Sequence, residues 1–128
     1  MKTILRLIII TMALNLSSCV QETHIKHLTL KVDMRSVNDF NSVGVRGSMT
    51  DKQWQETLPL IDNNNDSIYE ITLSEKTAIN SIEFKFVINN SDYELKGYDN
   101  RVINFEYKPE TIIYETIFNN SEATITKN

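Results

Sequence analysis

The chain has 128 residues, which is enough for one domain with a modest hydrophobic core. Its 17 acidic residues outnumber its 13 basic residues. This balance argues against nucleic acid as a partner, because nucleic acid attracts basic surfaces. A single cysteine excludes a disulfide within the chain, so packing alone must stabilise the fold.

The N-terminal segment has the pattern of an export signal. Lys2 and Arg6 supply positive charge, an apolar run covers residues 7–16, and Leu16-Ser17-Ser18-Cys19 closes the segment. The apolar run is about half as long as a bilayer-spanning helix, which disfavours a membrane span. The closing tetrapeptide resembles a bacterial lipobox, and this implies that residues 1–18 are removed and that Cys19 carries lipid. An ordinary signal peptide with a cysteine near its end is the alternative.

These features predict where the protein works. We expect it to be lipid-anchored outside the cytoplasm, at the outer membrane or elsewhere in the cell envelope. Removal of Lys2 and Arg6 leaves 11 basic residues of the 13, against 17 acidic ones, so the membrane link is covalent and not electrostatic. Residues 19–26 are polar and are expected to form a tether between the lipid and the domain.

Strand patterns begin after this tether. Residues 27–34 alternate polar and apolar side chains, which is the period of a strand with one buried face. Other segments are rich in β-branched and aromatic residues, as strands are. Further strands are predicted at residues 43–47, 67–73, 81–88, 101–107 and 111–118.

Segments rich in Asn and Asp separate the predicted strands. Residues 62–66 and 89–92 are typical of hairpin turns, since Asn and Asp accept left-handed backbone angles and bond to their own main chain. Residues 119–128 are polar and are expected to form a flexible tail. With no sustained helical period after residue 19, residues 27–118 are predicted to form an all-β, immunoglobulin-like antiparallel β-sandwich of six to eight strands. The expected core residues are Leu28, Leu30, Val32, Val45, Ile71, Leu73, Ile82, Phe84, Phe86 and Ile88.

The order of these segments resembles that of starch-binding domains. The series runs through Leu28-Thr29-Leu30-Lys31-Val32-Asp33-Met34, Val43-Gly44-Val45-Arg46-Gly47-Ser48, Trp54, Ile68-Tyr69-Glu70-Ile71-Thr72-Leu73, Glu83-Phe84-Lys85-Phe86-Val87, Tyr93-Glu94 and Asn100-Arg101. Over residues 28–107 it is similar to carbohydrate-binding module family 20 and to its glycogen-binding relatives. The resemblance implies an immunoglobulin-like sandwich that binds polysaccharide or oligosaccharide, with α-glucan favoured.

The resemblance also implies a sugar site. When the sugar-binding residues of the family are matched one by one to this sequence, they correspond to Trp54, Lys85, Tyr93 with Glu94, and Asn100. Tyr93 stands where the family has a second tryptophan, which makes the platform smaller. The segment from Tyr93 to Asn100 is also longer than usual.

The chemistry of such a site can be estimated. An aromatic ring can cover the apolar C–H face of a glucose unit, and two rings that remove about 100–150 Å² of apolar surface contribute about 2.5–4 kcal/mol. Ordering costs reduce this gain, so we expect affinity on the order of 0.1–1 mM, strengthened by avidity on a polymer.

The candidate residues also have plain structural interpretations. The polar neighbours of Trp54 favour an exposed ring over a core ring, whereas Tyr93 fits equally well as a packing residue at a strand end. A solvated side chain is the simplest interpretation of Lys85, because it alternates with two phenylalanines.

No metal site is predicted. Residues 62–66 offer oxygen ligands but lack the glycine and glutamate that an EF-hand loop places after them, so a plain turn is favoured over calcium. His24 and His27 have no third partner nearby in sequence and are expected to be solvated.

The sequence contains no phosphate-binding loop, no nucleophile-elbow motif of hydrolases and no zinc signature. Nothing in the sequence pairs two carboxylates for acid–base catalysis. We therefore expect no enzyme activity and no cofactor. The favoured function is a carbohydrate-binding lipoprotein. The alternative is an envelope scaffold that keeps the sandwich, lacks the sugar site and binds a partner protein. A shared exposed face for Trp54 and Tyr93 favours the first, and a concave pocket with clustered titratable groups would instead favour a small enzyme.

Overall fold

A computed structural model describes residues 1, 3–4 and 19–128 of the chain. The predicted signal peptide at residues 1–18 therefore lies mostly outside the described residues. Cys19 is exposed and its thiol is free. In the part of the chain that is described, no helix is long and apolar enough to cross a membrane.

Within residues 19–128, nine strands form two sheets that face each other across a hydrophobic core. The first sheet has the order β4-β1-β8-β9, and the second has the order β3-β2-β5, with β6 and β7 both paired to the far side of β5. The predicted all-β sandwich is confirmed. The strands are β1 (His24–Asp33), β2 (Val43–Gly47), β3 (Leu58–Pro59), β4 (Ile68–Thr77), β5 (Ser81–Ile88), β6 (Asp92–Tyr93), β7 (Arg101–Asn104), β8 (Glu110–Ile117) and β9 (Ala123–Lys127).

Two details differ from the predicted sandwich of six to eight antiparallel strands. Among the described strand pairs, β1 and β8 run parallel and the others run antiparallel. The higher strand number comes from β3 and β6, which have two residues each, and from β9. Strands of two residues are too short to show alternation, which explains why the sequence did not predict them.

The core lies between the inner faces of the two sheets. The predicted core residues of β1 and β2 are buried, and so are those of β5 except Ile88, which is half-buried. Ile71 and Leu73 are also half-buried, because β4 lies at the edge of the first sheet as described and is only partly covered. The buried core residues beyond the predicted set are Met34, Val43, Leu60, Ile103, Ile112, Tyr114 and Phe118.

Both ends of the predicted domain extend further than expected. β1 already begins at His24, inside the predicted tether, because residues 24–26 pair with the end of β4. The predicted flexible tail contains β9, which pairs with β8 through main-chain hydrogen bonds. Every side chain of β9 is exposed, so its sequence lacks the apolar alternation by which strands are recognised.

A buried ion pair connects the first strand to the eighth. The Lys26 ammonium donates hydrogen bonds to the Glu110 carboxylate at 2.6 Å and to the carbonyl oxygens of Glu106 at 2.7 Å and Lys108 at 2.6 Å. Burial alone would raise the pKa of Glu110, but the hydrogen bonds from Lys26 and the Glu106 amide, and the charges of Lys26 and Lys127, outweigh it and lower the pKa. This pair holds β1 and β8 in register.

The Asn- and Asp-rich segment at residues 62–66 is a turn, as predicted. The Asp62 carboxylate accepts hydrogen bonds from the amides of Asp66 at 3.2 Å and Ser67 at 2.9 Å. The Asp66 carboxylate in turn accepts from the Ile68 amide at 2.8 Å. These acidic side chains are thus occupied by the turn's own main chain, which is the usual role of Asp in turns.

Candidate functional site

The candidate site lies on the outer face of the second sheet. Side chains of β5 alternate between the core and solvent, so that Glu83 and Lys85 point away from the core. Residues paired across antiparallel strands share a face. Arg46 is paired with Lys85, and Tyr93 is paired with Val87, so both belong to this outer face.

Trp54 lies in the loop between β2 and β3, beside Tyr93. Its amide donates a hydrogen bond to the Gly47 carbonyl at 3.0 Å, and its own carbonyl oxygen lies 3.4 Å from the Tyr93 hydroxyl. The backbone of Trp54 has a φ of 63°, a left-handed conformation that is strained for a bulky side chain. The ring is half-buried. The loop therefore holds the tryptophan next to the tyrosine at a conformational cost.

Arg46 is a member of this site that the sequence analysis did not single out. Its Nε donates to the Thr57 hydroxyl at 2.6 Å, and its Nη1 lies 3.4 Å from the Tyr93 hydroxyl. The guanidinium carbon lies 5.9 Å from the centroid of the Tyr93 ring, within cation–π range. Thr57 in turn packs over Gly44, where a Cβ would collide with it. Arg46 thus fixes the tyrosine ring, but in the sequence it reads only as a polar position in an alternating strand.

Lys85 does not extend freely into solvent. Its Nζ donates hydrogen bonds to the carbonyl oxygens of Leu95 at 2.9 Å and Tyr98 at 2.8 Å. The side chain is half-buried, so the interpretation as a plain solvated lysine is wrong. A lysine ammonium has three N–H donors, and the third can serve a ligand. The main role of Lys85 is to fasten the loop between β6 and β7 to the sheet.

Glu94 was expected at the rim of the sugar site, and the structure corrects this. Its neighbour Tyr93 faces out, so Glu94 faces in and is completely buried. Its carboxylate accepts hydrogen bonds from Arg101 at 2.6 and 2.8 Å and from the amides of Phe86 at 2.9 Å and Asn119 at 3.1 Å. A residue in that position cannot contact a ligand on the exterior, and its role is structural.

The electrostatics of this buried pair favour the charged form of Arg101. Burial alone would lower the pKa of the Arg101 guanidinium, because it disfavours the charged state. The hydrogen bond and the negative charge of Glu94, followed by contacts with Tyr114, outweigh burial and raise that pKa. Because Glu94 and Arg101 stand at the two ends of the loop between β6 and β7, the pair closes the base of that loop.

Asn100 lies on the surface at the far end of the same loop. Its side-chain amide donates a hydrogen bond to the Glu83 carboxylate at 3.0 Å, which places it over the outer face of β5. Its side chain is exposed. Asn100 therefore remains a candidate for contact with a ligand, despite the length of the loop.

Tyr98 is a second residue that the sequence analysis missed. Its side chain is 72% exposed, whereas its backbone is restrained: its carbonyl is bound by Lys85, and its amide donates to the Leu95 carbonyl at 3.0 Å. Gly97, with a φ of 81°, provides the left-handed turn before it. A large exposed ring on a restrained loop is available to contact a ligand. The length of this loop relative to starch-binding domains was the one signal in the sequence that pointed to it.

No protein-family model and no curated protein matches this chain. The solved structures that are similar to it include two modules of a β/α-amylase from Paenibacillus polymyxa. The CBM25-2 module is 17% identical with a TM-score of 0.47, and the match covers 82% of this chain and 94% of that one. The CBM25-1 module is 18% identical with a TM-score of 0.45, covering 81% and 93%. The resemblance to carbohydrate-binding module family 20 stays a prediction.

Proposed function

We propose that this protein is a non-catalytic carbohydrate-binding module that holds α-glucan on the outer face of its second sheet. The observation that carries the proposal is the set of aromatic side chains on that face. The main-chain carbonyl of Trp54 lies 3.4 Å from the Tyr93 hydroxyl, and Tyr98 stands exposed on the adjoining loop. Arg46 holds the Tyr93 ring, and Lys85 fastens the main chain of the loop that carries Tyr98, so little conformational freedom is lost there when a ligand binds.

The polar groups around these rings suit the hydroxyl groups of a sugar. The Asn100 amide and the remaining N–H of the Lys85 ammonium lie beside the tyrosines and can bind hydroxyls at the edge of a stacked glucose unit. Stacking supplies most of the affinity and the polar groups supply orientation. We expect affinity on the order of 0.1–1 mM for a short oligosaccharide and retention on insoluble starch by avidity.

Replacing Trp54 tests this proposal. Removing one ring should forfeit roughly half of the stacking gain, which weakens binding of a maltooligosaccharide about ten- to twentyfold. Two variants remove the same ring: in Trp54→Ala the left-handed backbone strain remains, and in Trp54→Gly it is relieved. Isothermal titration and starch pull-down should show the same loss of binding in both, with Trp54→Gly the more stable of the two.

The matched pair separates the ring from the shape of the loop. If Trp54→Gly loses binding and Trp54→Ala keeps it, recognition depends on loop geometry and not on stacking. The proposal that the sugar stacks on the Trp54 ring would then be wrong. Thr29→Ala, on the outer face of the first sheet, is a control that should bind like the parent. A folded parent that binds no starch, glycogen or maltooligosaccharide would exclude the proposed function.

We also propose that Cys19 carries the lipid that anchors the protein to the cell envelope. The lipobox-like segment supports this, and the exposed thiol lies five residues before β1, where it is free to be modified. Cys19→Ala should be found unprocessed or released from membranes in fractionated cells. A Cys19→Ala protein that is processed and sediments with membranes as the parent does would contradict lipidation. Ser17→Ala is a control that should fractionate like the parent.

An envelope scaffold is the second candidate, and two observations favour it. Lys85 and Asn100 already have partners within the chain, which leaves few polar groups for a sugar. β4 also lies at the edge of the described part of the first sheet, where only Glu70 is bridged to Ile61, and another chain can add to the rest of such an edge. A folded parent without glucan binding is the result that would favour this candidate.

A further inference from the structure

A groove of about 440 Å³ runs along the side of the sandwich, next to the proposed glucan surface. This volume falls in the range of about 300–1,000 Å³ that is typical of ligand sites. Its wall is formed by the loop between β6 and β7 and by β7, and its floor by β8 and β9. The residues that matter for recognition are Tyr98, Asn100, Val102, Tyr114, Ala123 and Ile125.

The groove lies where the described strands of the second sheet leave β9 partly uncovered. Ile125 is paired with Tyr114 and therefore shares the inner face of its sheet. Tyr114 is buried, but Ile125 is 44% exposed, because among the described strands β7 is the last of the second sheet on this side and does not cover β9. Beyond Ile125, the Lys127 ammonium reaches across to the Asn104 carbonyl at 2.6 Å and closes one end.

The lining combines apolar surface with polar groups at the rim. Tyr114, Ala123 and Ile125 form an apolar floor, and the side chains of Asn100 and Ser121 offer neutral hydrogen-bonding groups. This arrangement matches a ligand with apolar faces and hydroxyl edges. It is the same chemistry that the outer face of the second sheet presents.

Two residues belong to both surfaces. Tyr98 and Asn100 line the groove, and both are fastened to the outer face, Tyr98 through Lys85 and Asn100 through Glu83. A linear chain that stacks on Tyr98 from the outer face can therefore continue over the edge at β7 and enter the groove. This continuity identifies the occupant as more of the same ligand.

We propose that the groove binds the continuation of an α-glucan chain whose first units lie on Trp54 and Tyr93. The inference rests on the proposed function, and it adds that the module recognises chain length. Tyr98 is then the ring shared between the outer face and the groove, and Ile125 is the apolar contact at the far end of the groove. A short oligosaccharide occupies the outer face alone, whereas a long one occupies both the outer face and the groove.

The test compares maltotriose with maltoheptaose by isothermal titration on the full domain. The parent should bind maltoheptaose more than about tenfold tighter, beyond the roughly fivefold statistical advantage of seven units on a site of three. Ile125→Glu places a charge on the groove floor and should reduce maltoheptaose binding to within that statistical factor, while maltotriose binding stays unchanged. Thr124→Glu, which adds the same charge to the same strand but on the opposite face, should bind both sugars like the parent.

The outcomes separate this inference from the proposed function. A parent that binds neither sugar overturns both. A parent that prefers maltoheptaose by no more than about fivefold, or an Ile125→Glu variant that still prefers maltoheptaose by more than that statistical factor, overturns the groove alone. Sedimentation of the apo protein tests another occupant: a dimer of the parent that Ile125→Glu dissociates would assign the groove to a second copy of the chain.

Discussion

Replacing Glu94 with alanine is expected to destabilise the domain by about 3–5 kcal/mol, because the change leaves the Arg101 charge buried without its carboxylate. The amides of Phe86 and Asn119 lose their acceptor at the same time. A loss of this size is a large part of the roughly 5–15 kcal/mol by which such domains are stable. Urea unfolding followed by tryptophan fluorescence or circular dichroism measures it.

A surface carboxylate provides the matched control. Glu115 lies 3.7 Å from the Lys31 ammonium and is half exposed, so Glu115→Gln should change stability by less than about 1 kcal/mol. If the buried pair acts as a unit, the double variant Glu94→Gln with Arg101→Met should be less destabilised than the sum of its single variants. A Glu94→Ala protein that unfolds like the parent but no longer binds glucan would return Glu94 to the sugar site.

Phe86→Ala is expected to cost a similar amount, about 3–5 kcal/mol, for a different reason. Phe86 is completely buried at the centre of β5, with its ring 5.7 Å from that of Phe84 and 5.7 Å from the Arg101 guanidinium carbon. Removing the ring leaves a cavity that the surrounding strands cannot fill. Thermal unfolding should show a midpoint lower by tens of degrees, or no folded protein at all.

The control for this variant is Ile61→Ala. Ile61 is 57% exposed and contacts β4 through main-chain hydrogen bonds that alanine keeps. The thermal unfolding midpoint of Ile61→Ala should stay close to that of the parent. A Phe86→Ala domain as stable as Ile61→Ala would mean that the core lies elsewhere and that the register of β5 is wrong.

The fold was largely predictable because most of its strands have one face in the core and one in solvent. The alternation in β1 and β5 follows directly from that arrangement, and a slip of one residue would expose Phe84 and Phe86 together. β9 could not be predicted, because its side chains are all exposed and only its main chain contributes to the sheet. The parallel pairing of β1 with β8 was equally invisible, since pairing partners depend on the whole chain and not on a local pattern.

The candidate site was predictable only in part. The main chain of Trp54 does contact the Tyr93 hydroxyl, but the role of the two rings in a sugar site stays a prediction. Glu94 was misplaced because a family motif carries residue identity but not the direction of a side chain, and here alternation after Tyr93 turns it inward. Tyr98 was missed because its importance depends on the hydrogen bonds from Lys85 to its loop, which no sequence pattern reveals.

The parallel pairing of β1 with β8 has a consequence for how the chain acquires its fold. The Lys26 and Glu110 side chains that hold this register are separated by 84 positions in sequence. Until Glu110 has emerged, β1 can pair only with β4, so the first sheet cannot close during synthesis. Contacts this distant make folding slow, in the range of milliseconds to seconds for sandwiches of this kind. The first sheet therefore stays open until residues 24–117 are all available, whereas the strands of the second sheet can pair earlier.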